Sequence, residues 1–139
     1  MKIHFYGNAC FSIFHNGIHI LCDPWLDGPA VAGGWTHFPP CDFKACDIPK
    51  PDYIYISHIH SDHCEATTLE NLDHNVPVIL LERNPNFLEK MLRSKGFPNL
   101  ILVPEKIPTQ ITPKLGVEAF GATFDHLSSQ FIDSSILFV

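Results

Sequence analysis

Apolar and polar positions divide the chain into short segments of two different periods. Lys2 to Tyr6 alternates, which suits a first strand. Cys10 to Phe14 and Ile18 to Cys22 are two further apolar runs. Asn16-Gly17 lies between them, and both residues accept positive φ, so a β-hairpin is expected there. The hairpin leads into Asp23-Pro24-Trp25-Leu26, where Pro24 stops the ladder. Tyr53 to Ser57 is a nearly continuous run of β formers and reads as a buried strand. Glu65 to Leu72 has helical composition, with Thr68, Leu69 and Leu72 on one face. Val76 to Leu81 is another buried strand. Asn86 to Lys95 is a helix closed by Gly96, with Phe87, Leu88, Met91 and Leu92 as its apolar stripe. Leu100 to Val103, Val117 to Ala122 and Ser134 to Val139 complete the set as strands. A hairpin followed by strand–helix–strand–helix–strand and more strands predicts one α/β layered domain over residues 1–139.

One stretch has no period. Asp27 to Pro51 holds glycines, prolines, Trp35, Phe38 and Phe43, and an irregular segment this long in a compact domain is usually functional. His37 sits in this loop, which is long enough to border a site. The remaining composition mainly excludes. A 45% hydrophobic and 17% charged chain of 139 residues can bury a core and is not disordered. The net charge of −6, with no lysine or arginine cluster, argues against nucleic acid and anionic membranes as partners. A local cation can still attract an anionic small molecule. Five cysteines without a C-x-x-C pair read as reduced thiols. No apolar run suits a signal peptide or a membrane span, so a cytoplasmic protein is expected. Ser134 to Val139 stops in mid-pattern on apolar side chains. The open edge predicts cover from a further part of a longer protein or from an oligomeric partner.

Three of the nine histidines fall within six residues, in His58-Ile59-His60-Ser61-Asp62-His63. Residues two apart at a strand end face the same side, so His58 and His60 are expected to address one metal ion. Asp62 and His63, on the turn beyond, can reach a second position. Imidazole and carboxylate donors suit zinc, and also iron or manganese. Two such ions bring a bound water into the neutral pH range as a nucleophile. Cys64 is read as a small packed thiol.

With these residues in place, the chain resembles the first half of a metallo-β-lactamase-fold protein. Within that superfamily, Asp23 to Ala30, Gly34-Trp35 and Tyr53 to His63 are most similar to the branch containing the CMP-N-acetylneuraminate hydroxylases. That branch touches the ascorbate-phosphate lactonases and the N-acyl-phosphatidylethanolamine phospholipases. The resemblance implies an αββα sandwich, here its first half: a mixed sheet with flanking helices. It implies that His58 and His60 bind a first metal, and Asp62 and His63 a second. Asp62 would also orient the attacking water, and Asp23 would brace the loop from behind. His126 falls where the family places its next histidine ligand.

The family also uses a bridging aspartate and a last histidine further along. Asp133 stands too early for the first, so an incomplete two-zinc site is expected from these residues alone. The Rieske cysteine–histidine segment of the hydroxylases does not occur. The leading expectation is a metal-dependent hydrolase acting on an ester, lactone or phosphodiester. The alternatives are an oxygenase-related domain acting on a nucleotide sugar, and a metal-binding module without activity.

Overall fold

The computed structural model describes residues 1–121 and 134–139. Among the described residues, nine strands and two α-helices follow one another as β1 (Lys2–Gly7), β2 (Cys10–His15), β3 (Ile18–Cys22), β4 (Tyr53–Tyr55), α1 (Ala66–Asn71), β5 (Val78–Leu81), α2 (Phe87–Ser94), β6 (Leu100–Val103), β7 (Thr109–Thr112), β8 (Leu115–Gly121) and β9 (Ser134–Phe138). Strands β1 to β6 lie in chain order in one six-stranded sheet, and β7 to β9 form a second of three. The first three strands are antiparallel and β3 to β6 run parallel, which makes the large sheet mixed. This is the α/β layering that the apolar pattern predicts, with the mixed sheet and flanking helices that the family resemblance implies.

The expected hairpin forms. His15 pairs with Ile18 around Asn16 (φ 51°) and Gly17 (φ 78°), the two positive φ values that a tight hairpin turn requires. Along the central strands, side chains alternate between two cores. Leu21, Ile54, Val78 and Leu80 pack with Leu69 of α1 and Leu88 and Leu92 of α2. Ile20, Tyr55, Ile79 and Leu81 face the other way, onto Leu115, Val117 and Ala119 of β8. The layers are therefore helices, large sheet, small sheet. Among the described residues no helix is long and apolar enough to cross a membrane.

Three details differ from the sequence pattern. Strand β7 was not expected, because Thr-Gln-Ile-Thr is short and mostly polar and is specified by pairing with β8. Strand β8 starts at Leu115, two residues earlier than the apolar run suggests. Ile3 and Phe5 of β1 are 55% and 63% exposed. They pair with Ile13 and Phe11 and so lie on the small-sheet face, but at an edge strand, while Tyr6 takes the core position.

The buried polar groups of the first three strands close on one another. Tyr6 donates to Ser12 Oγ at 3.0 Å, and Ser12 Oγ lies 2.7 Å from His19 Nε2. A hydrogen bond to the Lys50 carbonyl holds the proton on the other ring nitrogen, and burial lowers the His19 pKa below its ordinary 6.5. His19 is thus a neutral acceptor in the fold and a titrating group once unfolded. Its contribution is complete above the unfolded value and falls as pH drops from about 6.5 through the folded value. Melting temperature measured from pH 7.5 down to pH 5 should fall, and His19→Gln should flatten that slope. An unchanged slope in the variant would contradict this role.

Candidate metal centre

Parallel strands deliver the loop to one edge. The segments leaving β3 and β4 at their carboxyl ends are Asp23 and Ser57–His58, the position where open α/β sheets bind ligands. Asp23 has φ 44°, a left-handed conformation that aspartate tolerates better than most residues. That turn carries its carboxylate across to β4. Oδ1 accepts the Ser57 backbone N–H at 2.7 Å, and Oδ2 accepts the Ser57 hydroxyl at 2.9 Å. The same Oδ2 stands 3.0 Å from His63 Nδ1.

These contacts fix the ring protons. Ser57 spends its hydroxyl hydrogen on Asp23, so its oxygen can only accept from His58 Nδ1, 2.9 Å away. His63 Nδ1 faces the Asp23 carboxylate, which is also only an acceptor. Both rings therefore carry hydrogen on Nδ1 and turn Nε2 toward the rest of the loop. The Nε2 of His58 lies 3.0 Å from His60 Nδ1, and the Nε2 of His63 lies 3.5 Å from Asp62 Oδ2. Each pair brings together two atoms that can both donate electron pairs to one cation. The ring centroids of His58 and His63 are 4.0 Å apart, so the two pairs adjoin.

The donor chemistry of this loop thus suits divalent metal as two adjacent half-sites, His58/His60 and Asp62/His63. Among the described residues no group of three or more histidine, cysteine, aspartate or glutamate side chains converges on one point. His126, expected as a further ligand, lies outside the described residues. The pairing of His58 with His60 also has a different origin from strand alternation. Strand β4 ends at Tyr55, and the loop folds into a turn in which the N–H groups of His63 and Cys64 both reach His60 O, at 2.9 and 3.2 Å.

Four neighbours support the loop. The Cys64 thiol is buried, pushed up to about 12 by desolvation, and donates to His60 O at 3.3 Å, which makes it packing rather than a ligand. Asn8 donates its side-chain amide to Asp62 O at 3.2 Å and to Asp62 Oδ2 at 3.4 Å. Ser61 Oγ accepts the Val31 N–H at 2.7 Å, tying the loop to the long irregular segment. Ser134 of β9 donates to the Ser57 carbonyl and receives the Tyr55 hydroxyl at 3.2 Å. Ser57, Asn8, Ser61 and Ser134 escaped the sequence reading. Ser57 offered one signal, a hydroxyl directly after a buried strand and before the first histidine.

Behind the loop, Thr68 of α1 receives the N–H groups of Leu26 and Asp27 at 3.0 and 2.8 Å and donates to Glu65 Oε2 at 3.1 Å. Glu65 caps α1 by accepting from Thr67 N and Thr68 N, both at 2.8 Å. The segment after Asp23 is thereby stitched to the helix that follows His63. A cavity of about 450 Å³ opens between the two sheets onto the histidines, lined by Tyr55, His58, His63, Ser134, Ile136 and Phe138.

Residues 2–129 match the family described as the beta-lactamase superfamily domain. The cytidine monophosphate-N-acetylneuraminic acid hydroxylase of Mus musculus is 35% identical over 123 residues, covering 83% of this chain and 21% of the hydroxylase. An isothiocyanate hydrolase from Delia radicum gut bacteria superimposes with a TM-score of 0.75 at 18% identity, over 100% of this chain and 58% of the hydrolase. CmlA, a diiron beta-hydroxylase from Streptomyces venezuelae, does so with a TM-score of 0.71 at 21% identity, over 99% of this chain and 27% of CmlA. The chain spans about a fifth of the length of the curated relative and a little over half of the hydrolase.

Proposed function

The chain belongs to the beta-lactamase superfamily and has the metallo-β-lactamase fold, and from that premise we propose that it is a metal-dependent hydrolase domain. The substrate is a small ester, lactone or phosphodiester, and an anionic one suits a site whose own charge is set by bound cations. The observation that carries this reading is the double pairing of atoms able to bind metal, His58 Nε2 with His60 Nδ1 and His63 Nε2 with Asp62 Oδ2. Divalent metal held by those pairs, with zinc the expected ion, would acidify a water and polarise the scissile group.

The chain's own residues do the rest. Asp62, steadied by the Asn8 amide, orients the attacking water and receives its proton. Asp23 keeps hydrogen on His63 Nδ1, which keeps the opposite nitrogen basic. Ser57 does the same for His58 while its own carbonyl is pinned by Ser134. Arg83 lines a small cavity with Ser57 and Ile59 and supplies positive charge beside the loop.

A second reading has a specific observation in its favour. The 35% identity to a hydroxylase and the likeness to a diiron hydroxylase fold both support an oxygenase-related domain that uses iron on a nucleotide sugar. One experiment separates the two. The protein that carries this domain is loaded with zinc or with ferrous iron, its metal content measured, and each form offered bis(p-nitrophenyl) phosphate, p-nitrophenyl acetate and a simple lactone. Zinc-supported hydrolysis that is lost in His58→Ala is the expected result. Iron retention with oxygen uptake on a cytidine nucleotide sugar would favour the second reading. Retention of neither metal would sink both.

A further inference from the structure

We propose that the cleft on the Asn8 side of the loop is the subsite that receives a flat heterocyclic ring of the substrate. This deepens the hydrolase reading and rests on it for the adjacency to Asp62. The cleft has a volume of about 540 Å³ and is lined by Asn8, Trp25 and residues 34–38.

Its base is rigid. Trp25 is 4% exposed and donates its indole N–H to Gly28 O at 3.0 Å. The His37 ring lies tilted by 32° against Trp25 with centroids 4.0 Å apart, and His37 Nε2 lies 3.2 Å from Trp25 O. Gly7, at φ 155°, lets the backbone close over that ring, because a Cβ there would stand 3.3 Å from His37 Nδ1. On this base stand two aromatic side chains that the fold does not bury, Trp35 at 55% and Phe38 at 98% exposure. Trp35 is held by paired backbone hydrogen bonds with Ala30, at 3.0 and 3.1 Å.

Solvent-exposed rings on a fixed frame offer π faces at little further ordering cost, which is how proteins take up planar bases. The cleft is continuous with the candidate centre through two bonds. Asn8 reaches Asp62, and Val31, between Ala30 and Trp35 in sequence, reaches Ser61. A ring seated against Trp35 is thus placed beside the water-orienting carboxylate. Asn8 spends its N–H donors on Asp62, and its amide oxygen is the acceptor left for an N–H carried by the ring or by an amino or amide group on it. Flatness and an N–H donor together specify a nitrogen heterocycle over a saturated sugar ring.

Ligand-observed NMR titration tests this, with cytidine and nicotinamide as flat probes and methyl glucoside as the saturated control. Trp35→Phe, Trp35→Ala and Phe38→Ser are compared with the wild type, and circular dichroism and zinc binding are followed in every sample. Saturable binding of the flat probes, glucoside excluded, is expected, falling by roughly 5- to 100-fold in Trp35→Ala. Trp35→Phe should retain most of the affinity, and zinc binding should stay unchanged throughout. No saturable binding to the wild type, or equal binding by Trp35→Ala and Phe38→Ser, would overturn the subsite. Loss of zinc binding with flat-probe binding intact would instead count against the hydrolase reading alone.

Discussion

Asp23→Ala is expected to weaken zinc binding by ~10- to 100-fold without removing any metal-facing atom. The carboxylate holds three groups at once: the Ser57 N–H, the Ser57 hydroxyl and His63 Nδ1. Without it, Ser57 is free to turn its hydroxyl hydrogen toward His58 Nδ1, which favours the tautomer with hydrogen on the metal-facing nitrogen. His63 loses the partner that fixes its ring. The stability loss should be about 1–3 kcal/mol, since buried or half-buried donors are left without an acceptor. Asp23→Asn separates the two effects. Asparagine tolerates the φ of 44° and keeps the volume, but a neutral amide is a poorer acceptor for two donors and an imidazole. Its melting temperature should stay near wild type while its zinc affinity, read by competition with a chromogenic chelator, falls nearly as far as that of Asp23→Ala. Wild-type zinc affinity in Asp23→Asn would show that charge behind the loop does not tune the site.

How much of this could be read from residue order depends on the range of each interaction. The hairpin was legible because Asn16-Gly17 imposes its φ values locally. The buried strands were legible because continuous apolar runs such as Tyr53 to Ser57 and Val76 to Leu81 mark segments covered on both faces. The histidine loop was legible as a spacing, and its resemblance to a known family pointed to Asp23. The reason Asp23 matters was not, because it is a pairing across 34 positions set by the parallel contact of β3 and β4. Asn8 and Ser134 lie still further from their partners, 54 and 77 positions away, and neither has a neighbour that marks it. Strand β7 went unread for a related reason: a polar tetrapeptide becomes a strand only when β8 is beside it. The exposed rings of Trp35 and Phe38 could be counted in the sequence, but only the fold shows that one neighbouring aromatic, Trp25, is buried and these two are not.

Asp62→Asn is expected to silence hydrolysis by ~10²- to 10⁴-fold while leaving the metal-free protein as stable as the wild type, or more so. In the wild type, Asp62 Oδ2 confronts His63 Nε2 at 3.5 Å. Asparagine converts that confrontation into a hydrogen bond, because its amide N–H can donate to Nε2. Asn8 gives up its longer bond to Oδ2 but still donates to the backbone carbonyl of residue 62, so the loop keeps its shape. What disappears is the charge that attracts a second ion and the base that takes the water's proton. The two proteins should therefore respond differently to zinc. Ligand at 100 times its dissociation constant stabilises a fold by about 2.7 kcal/mol, and the wild type should show a rise in melting temperature of corresponding size. Asp62→Asn should show a smaller rise, limited to what His58 and His60 bind, together with the loss of p-nitrophenol release. An equal zinc-induced rise with activity lost would reduce Asp62 to a proton acceptor. Retained activity would remove it from the mechanism and leave His58 and His60 as the only part of the loop that acts.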